Sequence, residues 1–218
     1  MAEVRVTGGV SFRSSSRGSA PDGNAQLGGG VGIRLSPRAA VPPNHLLGPV
    51  TVLKYAVHDL DRWLAELVQI GIGPWWISRD QAPEEFVYRG KQSDTRFAWG
   101  LTWSGDVMHE IIQPLDDRPS PYRDFLNEGR EGLHHGAFYP PDYEGAIAYL
   151  KRAGKAPILH GHSGEARFTY FEGIGSPPQP IELQYLPEDV KATHRVLMRA
   201  SQNWNGAEPF RGPPRQWW

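Results

Sequence analysis

The sequence contains no cysteine and no strong excess of either charge. Without cysteine the chain can form neither a disulfide framework nor a thiolate metal site. Its formal net charge of −1 lacks the basic excess typical of nucleic-acid-binding proteins. No apolar run approaches the roughly 20 residues that span a bilayer, and the N-terminus has no apolar segment typical of a secretory signal. We therefore expect a cytoplasmic protein that binds neither nucleic acid nor membrane.

The composition divides the 218 residues into a tail, a domain and a C-terminal segment. Residues 1–45 are rich in Gly, Ser, Arg and Pro, and such a segment buries too little apolar surface to offset the entropy of ordering. They are predicted to be a disordered tail. A folded domain is expected over residues 46–187. Residues 188–218 are predicted to form a helix and a tail, with Val190 and Leu197 among the apolar residues at helical spacing.

The first part of the domain, residues 49–114, has the pattern strand, helix, strand, strand, strand. Asp59 stands where a helix N-cap is expected, before an apolar stripe with helical spacing. A loop around Trp75 to Glu85, with Trp75–Ile77 extended, is expected to lengthen this unit. The strand candidates, rich in β-branched and aromatic residues, are Val50–Val57, Phe86–Gly90, Thr95–Trp103 and Val107–Gln113.

The same order of elements restarts in residues 131–187, after a connector with a short helix at Tyr122–Asn127. Asp142 opens the second helix. The repeated order indicates an internal duplication of a βαβββ unit. The strand candidates of the second unit are Leu133–Phe138, Pro157–His160, Ala166–Phe171 and Pro180–Tyr185.

Three ionisable residues lie within apolar strand candidates: Glu110, His135 and Glu182. A buried carboxylate without a partner is costly, so each glutamate implies a partner in the folded protein. Two carboxylates and a histidine on converging strands indicate either a metal site or an acid–base site. His134, next to His135, is expected to pack outside any cavity that these three residues line, whereas Tyr170 is a candidate for the mouth of such a cavity.

At these residues the sequence resembles the vicinal oxygen chelate superfamily, and in particular its glyoxalase-like branch related to methylmalonyl-CoA epimerase. The resemblance implies an α+β fold in which two tandem βαβββ modules, residues 49–114 and 131–187, form an eight-stranded curved sheet around a cavity. It also implies a homodimer. The matching segments are Val57–Asp61, Gly71–Trp75, His109–Pro114, Gly132–His135 and Ile181–Leu183.

The resemblance further implies a ligand set for a divalent metal. Metalloenzymes of this superfamily take ligands from the first and last strand of each module, and here those positions carry Val52, Glu110, His135 and Glu182. Valine cannot coordinate a metal, so three of the four ligand types are retained. With water in the vacant place, this nitrogen and oxygen set would suit Zn, Mn, Fe, Co or Ni.

A lysine offers an alternative to the metal. Side chains two apart on a strand share a face, so if Val52 faces the cavity, Lys54 and Ala56 face it as well. A buried lysine must be paired or lose its charge. Either a metal is held by Glu110, His135 and Glu182, or Lys54 supplies the positive charge in a metal-free cavity.

The resemblance implies chemistry in which an oxyanion at a carbonyl group is stabilised, by a metal or by a fixed cation. Our leading hypothesis is an isomerase, epimerase or lyase that moves an α-proton on a small carbonyl substrate such as a thioester. Its catalytic residues would be Glu110, Glu182 and Lys54. The alternative is non-catalytic binding of an aromatic small molecule, as in resistance proteins. An extradiol dioxygenase, which needs two histidine ligands, is less well supported.

Overall fold

The computed structural model describes residues 46–214 of the chain. The predicted disordered tail, residues 1–45, and the last four residues of the C-terminal segment lie outside the described residues. The first module and the connector contain β1 (Val50–Ala56), α1 (Leu60–Gln69), β2 (Trp75–Gln81), β3 (Glu85–Tyr88), β4 (Lys91–Gln92), β5 (Phe97–Ser104), β6 (Val107–Pro114) and α2 (Pro121–Asn127). The second module and the C-terminal segment contain β7 (Gly132–Phe138), α3 (Tyr143–Arg152), β8 (Pro157–Ser163), β9 (Ala166–Ile174), β10 (Gln179–Tyr185), α4 (Glu188–Gln202) and β11 (Phe210–Arg211).

The described strands form one sheet in the order β11-β2-β5-β6-β1-β7-β10-β9-β8-β3-β4. Eight contiguous strands of this sheet, β2-β5-β6-β1-β7-β10-β9-β8, make up the two repeated units. The first strand of each module pairs in parallel with the last strand of the same module, β1 with β6 and β7 with β10. The modules join through antiparallel pairing of β1 with β7. The predicted α+β fold, two βαβββ modules in a large curved sheet, is confirmed.

One helix of each module packs on the outer face of the sheet. The N-caps agree with the sequence pattern: Asp59 accepts a hydrogen bond from the backbone N–H of Arg62, and Asp142 accepts one from Gly145. Buried Leu64 of α1 belongs to the apolar cluster beneath that helix, and α3 has an equivalent cluster of its own. Both helices leave the inner face of the sheet open for other elements.

The C-terminal helix α4 covers part of the inner face. Its buried Leu197 belongs to the same apolar cluster as Val52 and Trp103. The hydroxyl of Ser201 lies 3.3 Å from that of Thr102 on β5. The predicted C-terminal helix therefore shields this part of the sheet. None of the described helices is long and apolar enough to cross a membrane.

The prediction for the middle of the first module was wrong in one respect. The segment expected to be a loop is largely strand β2, which pairs with β5 and is the second strand of the module. The strand predicted at Phe86–Gly90 is β3, which instead pairs with β8 of the second module. Alternating apolar and polar residues in the sequence indicate a strand, but they do not indicate which strand it pairs with. The β3–β4 hairpin is therefore an insertion that extends the far edge of the sheet.

Gly161 permits the close approach of β3 to β8. A Cβ atom at this position would lie 2.2 Å from the carbonyl oxygen of Glu85, far inside van der Waals contact. We expect Gly161→Ala to lower the free energy of unfolding by about 2 kcal/mol, because the hairpin must move away. Urea denaturation measures the change. Gly212→Ala, which meets open space, is the control, and equal effects of the two substitutions would contradict the proposed role.

Candidate functional site

Strand β1 presents alternate side chains to the inner face of the sheet, as the strand period predicts. Val52, Lys54 and Ala56 are buried, whereas Leu53 and Tyr55 are half-buried on the outer face. Lys54 lies opposite Glu110 on one neighbouring strand, β6, and opposite His135 on the other, β7. The pairing of these three strands thus brings the lysine to the candidate residues.

The ammonium group of Lys54 lies between two carboxylates. Its Nζ atom is 3.0 Å from Oε1 of Glu182 and 3.2 Å from Oε2 of Glu110. Lys54 is 4% exposed, Glu110 1% and Glu182 0%. Burial lowers the pKa of Lys54, but Glu110 and Glu182 outweigh that effect and hold the pKa well above its usual value. Lys54 is therefore a permanent cation in a buried site.

Glu182 is the fully bonded carboxylate of the site. Its Oε1 accepts hydrogen bonds from Lys54 and, at 2.8 Å, from Nε2 of Gln184, and its Oε2 lies 2.8 Å from Nε2 of His135. Burial raises the pKa of Glu182. The positive charge of Lys54 and the hydrogen bond to His135 together outweigh that effect, so the pKa of Glu182 lies below its usual value. Glu182 is thus a fixed anion.

Glu110 is the weakly bonded carboxylate. Its Oε2 has an ion pair with Lys54 but no partner with hydrogen-bond geometry. Burial raises the pKa of Glu110, and Lys54 offsets only part of the rise. Two carboxylates near one ammonium therefore have opposite pKa shifts, which is the arrangement that separates a proton acceptor from a fixed charge.

A β-bulge turns the histidine pair toward the same side of β7. The register passes from Lys54 opposite His135 to Tyr55 opposite Leu133, so His134 is the extra residue. Both histidines are buried, and their Nδ1 atoms are hydrogen-bonded to each other. His134 packs beneath α2 and lines an outer groove rather than the cavity beside Lys54. This is the position outside the cavity that is expected from the sequence.

A cavity of about 30 Å³ adjoins Lys54 and Glu110. This volume accommodates roughly two water molecules. The hydroxyl groups of Tyr122 and Tyr170, both in the cavity wall, are hydrogen-bonded to each other at 2.5 Å. The rest of the wall is largely aromatic and apolar, with Phe86, Phe97, Trp99, Ile112 and Phe168.

The fold has counterparts among known proteins. The family sequence model described as Glyoxalase/Bleomycin resistance protein/Dioxygenase superfamily matches residues 53–171, which is more than half of the chain. The chain belongs to this superfamily. The resemblance read from the sequence motifs is confirmed. No curated protein matches the chain.

Three bacterial proteins are among the solved structures with similar folds. Methylmalonyl-CoA epimerase from Mycobacterium tuberculosis is 16% identical, with a TM-score of 0.51, over 69% of this chain and 97% of that one. A variant of the Streptomyces coelicolor epimerase in complex with 2-nitronate-propionyl-CoA is 20% identical (TM-score 0.47; 63% and 94% covered). A hypothetical protein from Bacillus halodurans C-125 is 17% identical (TM-score 0.46; 64% and 94% covered). At 16% identity the likeness to the Mycobacterium tuberculosis structure supports the fold and no activity.

The divalent metal that the superfamily resemblance implies does not fit this arrangement of residues. The expected ligands Glu110, His135 and Glu182 are brought together, but the Lys54 ammonium lies between the two carboxylates. A divalent ion placed there would meet a positive charge at contact distance. Within residues 46–214, no three His, Asp or Glu side chains are arranged to hold a metal. In this chain the cation that lies between the two carboxylates is the Lys54 ammonium.

Two residues of the site were missed in the sequence. Gln184 lies two positions after Glu182 on the same strand, so the strand period could have identified it. Tyr122 lies on α2, in the connector between the modules, and no pattern in the sequence relates it to the cavity.

Proposed function

We propose that this protein transfers a proton next to the carbonyl group of a small molecule, as an isomerase, epimerase or lyase. The observation that carries the proposal is the pair of carboxylates with opposite pKa shifts at one buried ammonium. Glu110 is the proton acceptor, Lys54 stabilises the oxyanion, and Glu182, held by His135 and Gln184, fixes Lys54 in place.

The charges balance at each stage of this reaction. When Glu110 takes the α-proton, it becomes neutral and the negative charge moves to the carbonyl oxygen of the substrate. Lys54 lies 3.2 Å from the Glu110 oxygen, so it can exchange one anionic partner for the other. The ammonium keeps a counter-charge throughout, which limits the cost of forming the enolate in a buried site.

The substrate must enlarge the cavity to reach Lys54, because about 30 Å³ holds no organic carbonyl compound. Phe86, contributed by the β3–β4 insertion, packs at 6.2 Å between ring centres from Phe168 of the second module. Displacement of these two rings would open the cavity from the far edge of the sheet. The expected homodimer and cytoplasmic location stay predictions.

Exchange of α-protons with D2O, followed by proton NMR, tests the proposal even where the product of the reaction is not known. The panel contains 2-oxo acids, 2-hydroxy ketones and branched acyl thioesters. For any compound that exchanges, we expect Glu110→Gln to slow the exchange by about 100-fold, since a positioned base contributes at least that much. Glu165→Gln, at an exposed glutamate in a turn, is the matched control. Undiminished exchange in the Glu110 variant would remove the base assignment.

A second candidate is non-catalytic binding of an aromatic small molecule, which the aromatic wall of the cavity favours. Trp99 lies in that wall, so an aromatic ligand would quench tryptophan fluorescence. Saturable quenching by a compound that shows neither exchange nor product would support binding alone. Detection of a product from the same compound would exclude this candidate.

A further inference from the structure

The position of Lys54 has a consequence that does not depend on whether the site is catalytic. The ammonium contacts both carboxylates of the expected ligand set, and a third expected ligand, His135, contacts Glu182. On the same strand its inward-facing neighbours are Val52 and Ala56, which are apolar and fully buried. Lys54 therefore lies between the two carboxylates, with apolar side chains on either side along β1.

The ammonium cannot yield its place to a metal ion at low cost. Within the described residues, the carboxylates in contact with Lys54 are Glu110 and Glu182 and no others. A metal bound by these carboxylates would push the ammonium into apolar surroundings without a counter-charge. It would also repel the ammonium directly at contact distance. Both effects oppose binding of a divalent ion to the wild-type protein.

We infer that Lys54 permanently holds the place of a divalent cation, and that shortening this side chain lets Glu110, Glu182 and His135 close on a divalent ion, although they are not arranged around a metal while the ammonium lies between the carboxylates. Without the ammonium, the two buried carboxylates lack a counter-charge, and a divalent ion supplies one. One nitrogen and two carboxylate donors suit borderline ions such as Zn²⁺, Co²⁺ and Ni²⁺. Lys54 is thus the residue that determines whether the site is closed or open to metal.

Titration with Co²⁺ tests this inference, because bound Co²⁺ is seen by visible absorption and by equilibrium dialysis. The proteins compared are wild type, Lys54→Ala and the double variant Lys54→Ala/His135→Ala. We expect Lys54→Ala to bind about one Co²⁺ per chain, at least about 100-fold more tightly than wild type, since a unit charge repelling the ion at contact is removed. Thermal unfolding of Lys54→Ala should shift upward with Co²⁺, because an ion that binds only the folded state stabilises it.

The double variant separates this site from weak binding at the surface. His162 lies near Glu84 and Glu85 on the exposed side of the hairpin and is a candidate for such weak binding. Surface binding would persist in the double variant, whereas the tight site should be lost. If Lys54→Ala is unfolded without metal, addition of Co²⁺ should restore its circular dichroism spectrum, and the double variant should not respond.

Two results would overturn the inference. One is tight binding of Co²⁺ to the wild-type protein that His135→Ala abolishes, since Lys54 would then not keep the ion out. The other is a Lys54→Ala variant that gains neither Co²⁺ affinity nor metal-dependent stability over the double variant. Loss of proton exchange bears on neither outcome, so the proposed function and this inference can fail separately.

Discussion

Replacing Lys54 with methionine is expected to lower the free energy of unfolding by about 3–5 kcal/mol. Methionine has nearly the length of lysine, so the substitution removes the charge while it largely preserves packing. Glu182 would keep its contacts with His135 and Gln184. Glu110 would be left as a buried carboxylate with no counter-charge, because its ion pair with Lys54 is lost. The cost arises from this uncompensated burial rather than from lost contact area.

Urea denaturation at two pH values measures this effect and identifies its cause. In the variant both carboxylates should have a pKa above that of an unfolded glutamate, about 4.3, so the loss of stability should grow as the pH rises above that value. The deficit should therefore be smaller at about pH 5 than at about pH 7. Lys191→Met is the control, since its ion pair with Glu188 is exposed and its loss is expected to leave the free energy of unfolding essentially unchanged at both pH values. A deficit under about 1 kcal/mol, or one that is equal at both pH values, would contradict the paired-charge interpretation.

Two isosteric substitutions, Glu182→Gln and Glu110→Gln, are expected to have unequal effects on stability at neutral pH. Glu182→Gln should lower the free energy of unfolding by about 3 kcal/mol, because Lys54, His135 and Gln184 all lose an anionic acceptor. Glu110→Gln should change it by less than about 1 kcal/mol, because Lys54 keeps its hydrogen bond to Glu182 and one buried charge is removed.

The pH dependence separates the two carboxylates as well. The pKa of Glu182 is lowered in the folded state, so its contribution is present above the unfolded pKa and is lost as the pH falls through the folded pKa. The pKa of Glu110 is raised, so its contribution is present below the unfolded pKa and is lost as the pH rises through the folded pKa. When the pH is raised from acidic to neutral, the free energy of unfolding of Glu110→Gln should therefore fall by less than that of the wild-type protein. Equal losses in the two glutamine variants would mean that the carboxylates do not have separate roles.

Much of the fold follows from local features of the sequence. The β-α-β-β-β order could be predicted because strand alternation and the helix caps at Asp59 and Asp142 depend on residues close in the chain, although the second strand of the first module was assigned to the wrong segment. The superfamily followed from short motifs in the same order. Both predictions are confirmed.

The strand with which an extended segment pairs could not be predicted in the same way. The sequence indicated that the segment around Phe86 is extended, yet it could not show that β3 leaves its own module and pairs with β8. That pairing depends on free backbone groups at the edge of β8 and on the small size of Gly161, more than seventy residues away. Strand pairing over such separations is determined by tertiary packing, not by local periodicity.

The residues of the candidate site show the same division. The strand period placed Lys54 on the inner face of β1 once the family resemblance had assigned Val52 to that face, and the family motifs nominated Glu110, His135 and Glu182. The sequence left open whether a metal or the lysine supplies the positive charge. Only the tertiary structure decided which cation stands between the carboxylates, because the 3.0 and 3.2 Å contacts of Lys54 require the registers of β1 with β6 and β7 and the approach of β10 together. A charge can replace an ion only where its position is set to within a few tenths of an ångström, and that position is a property of the folded sheet.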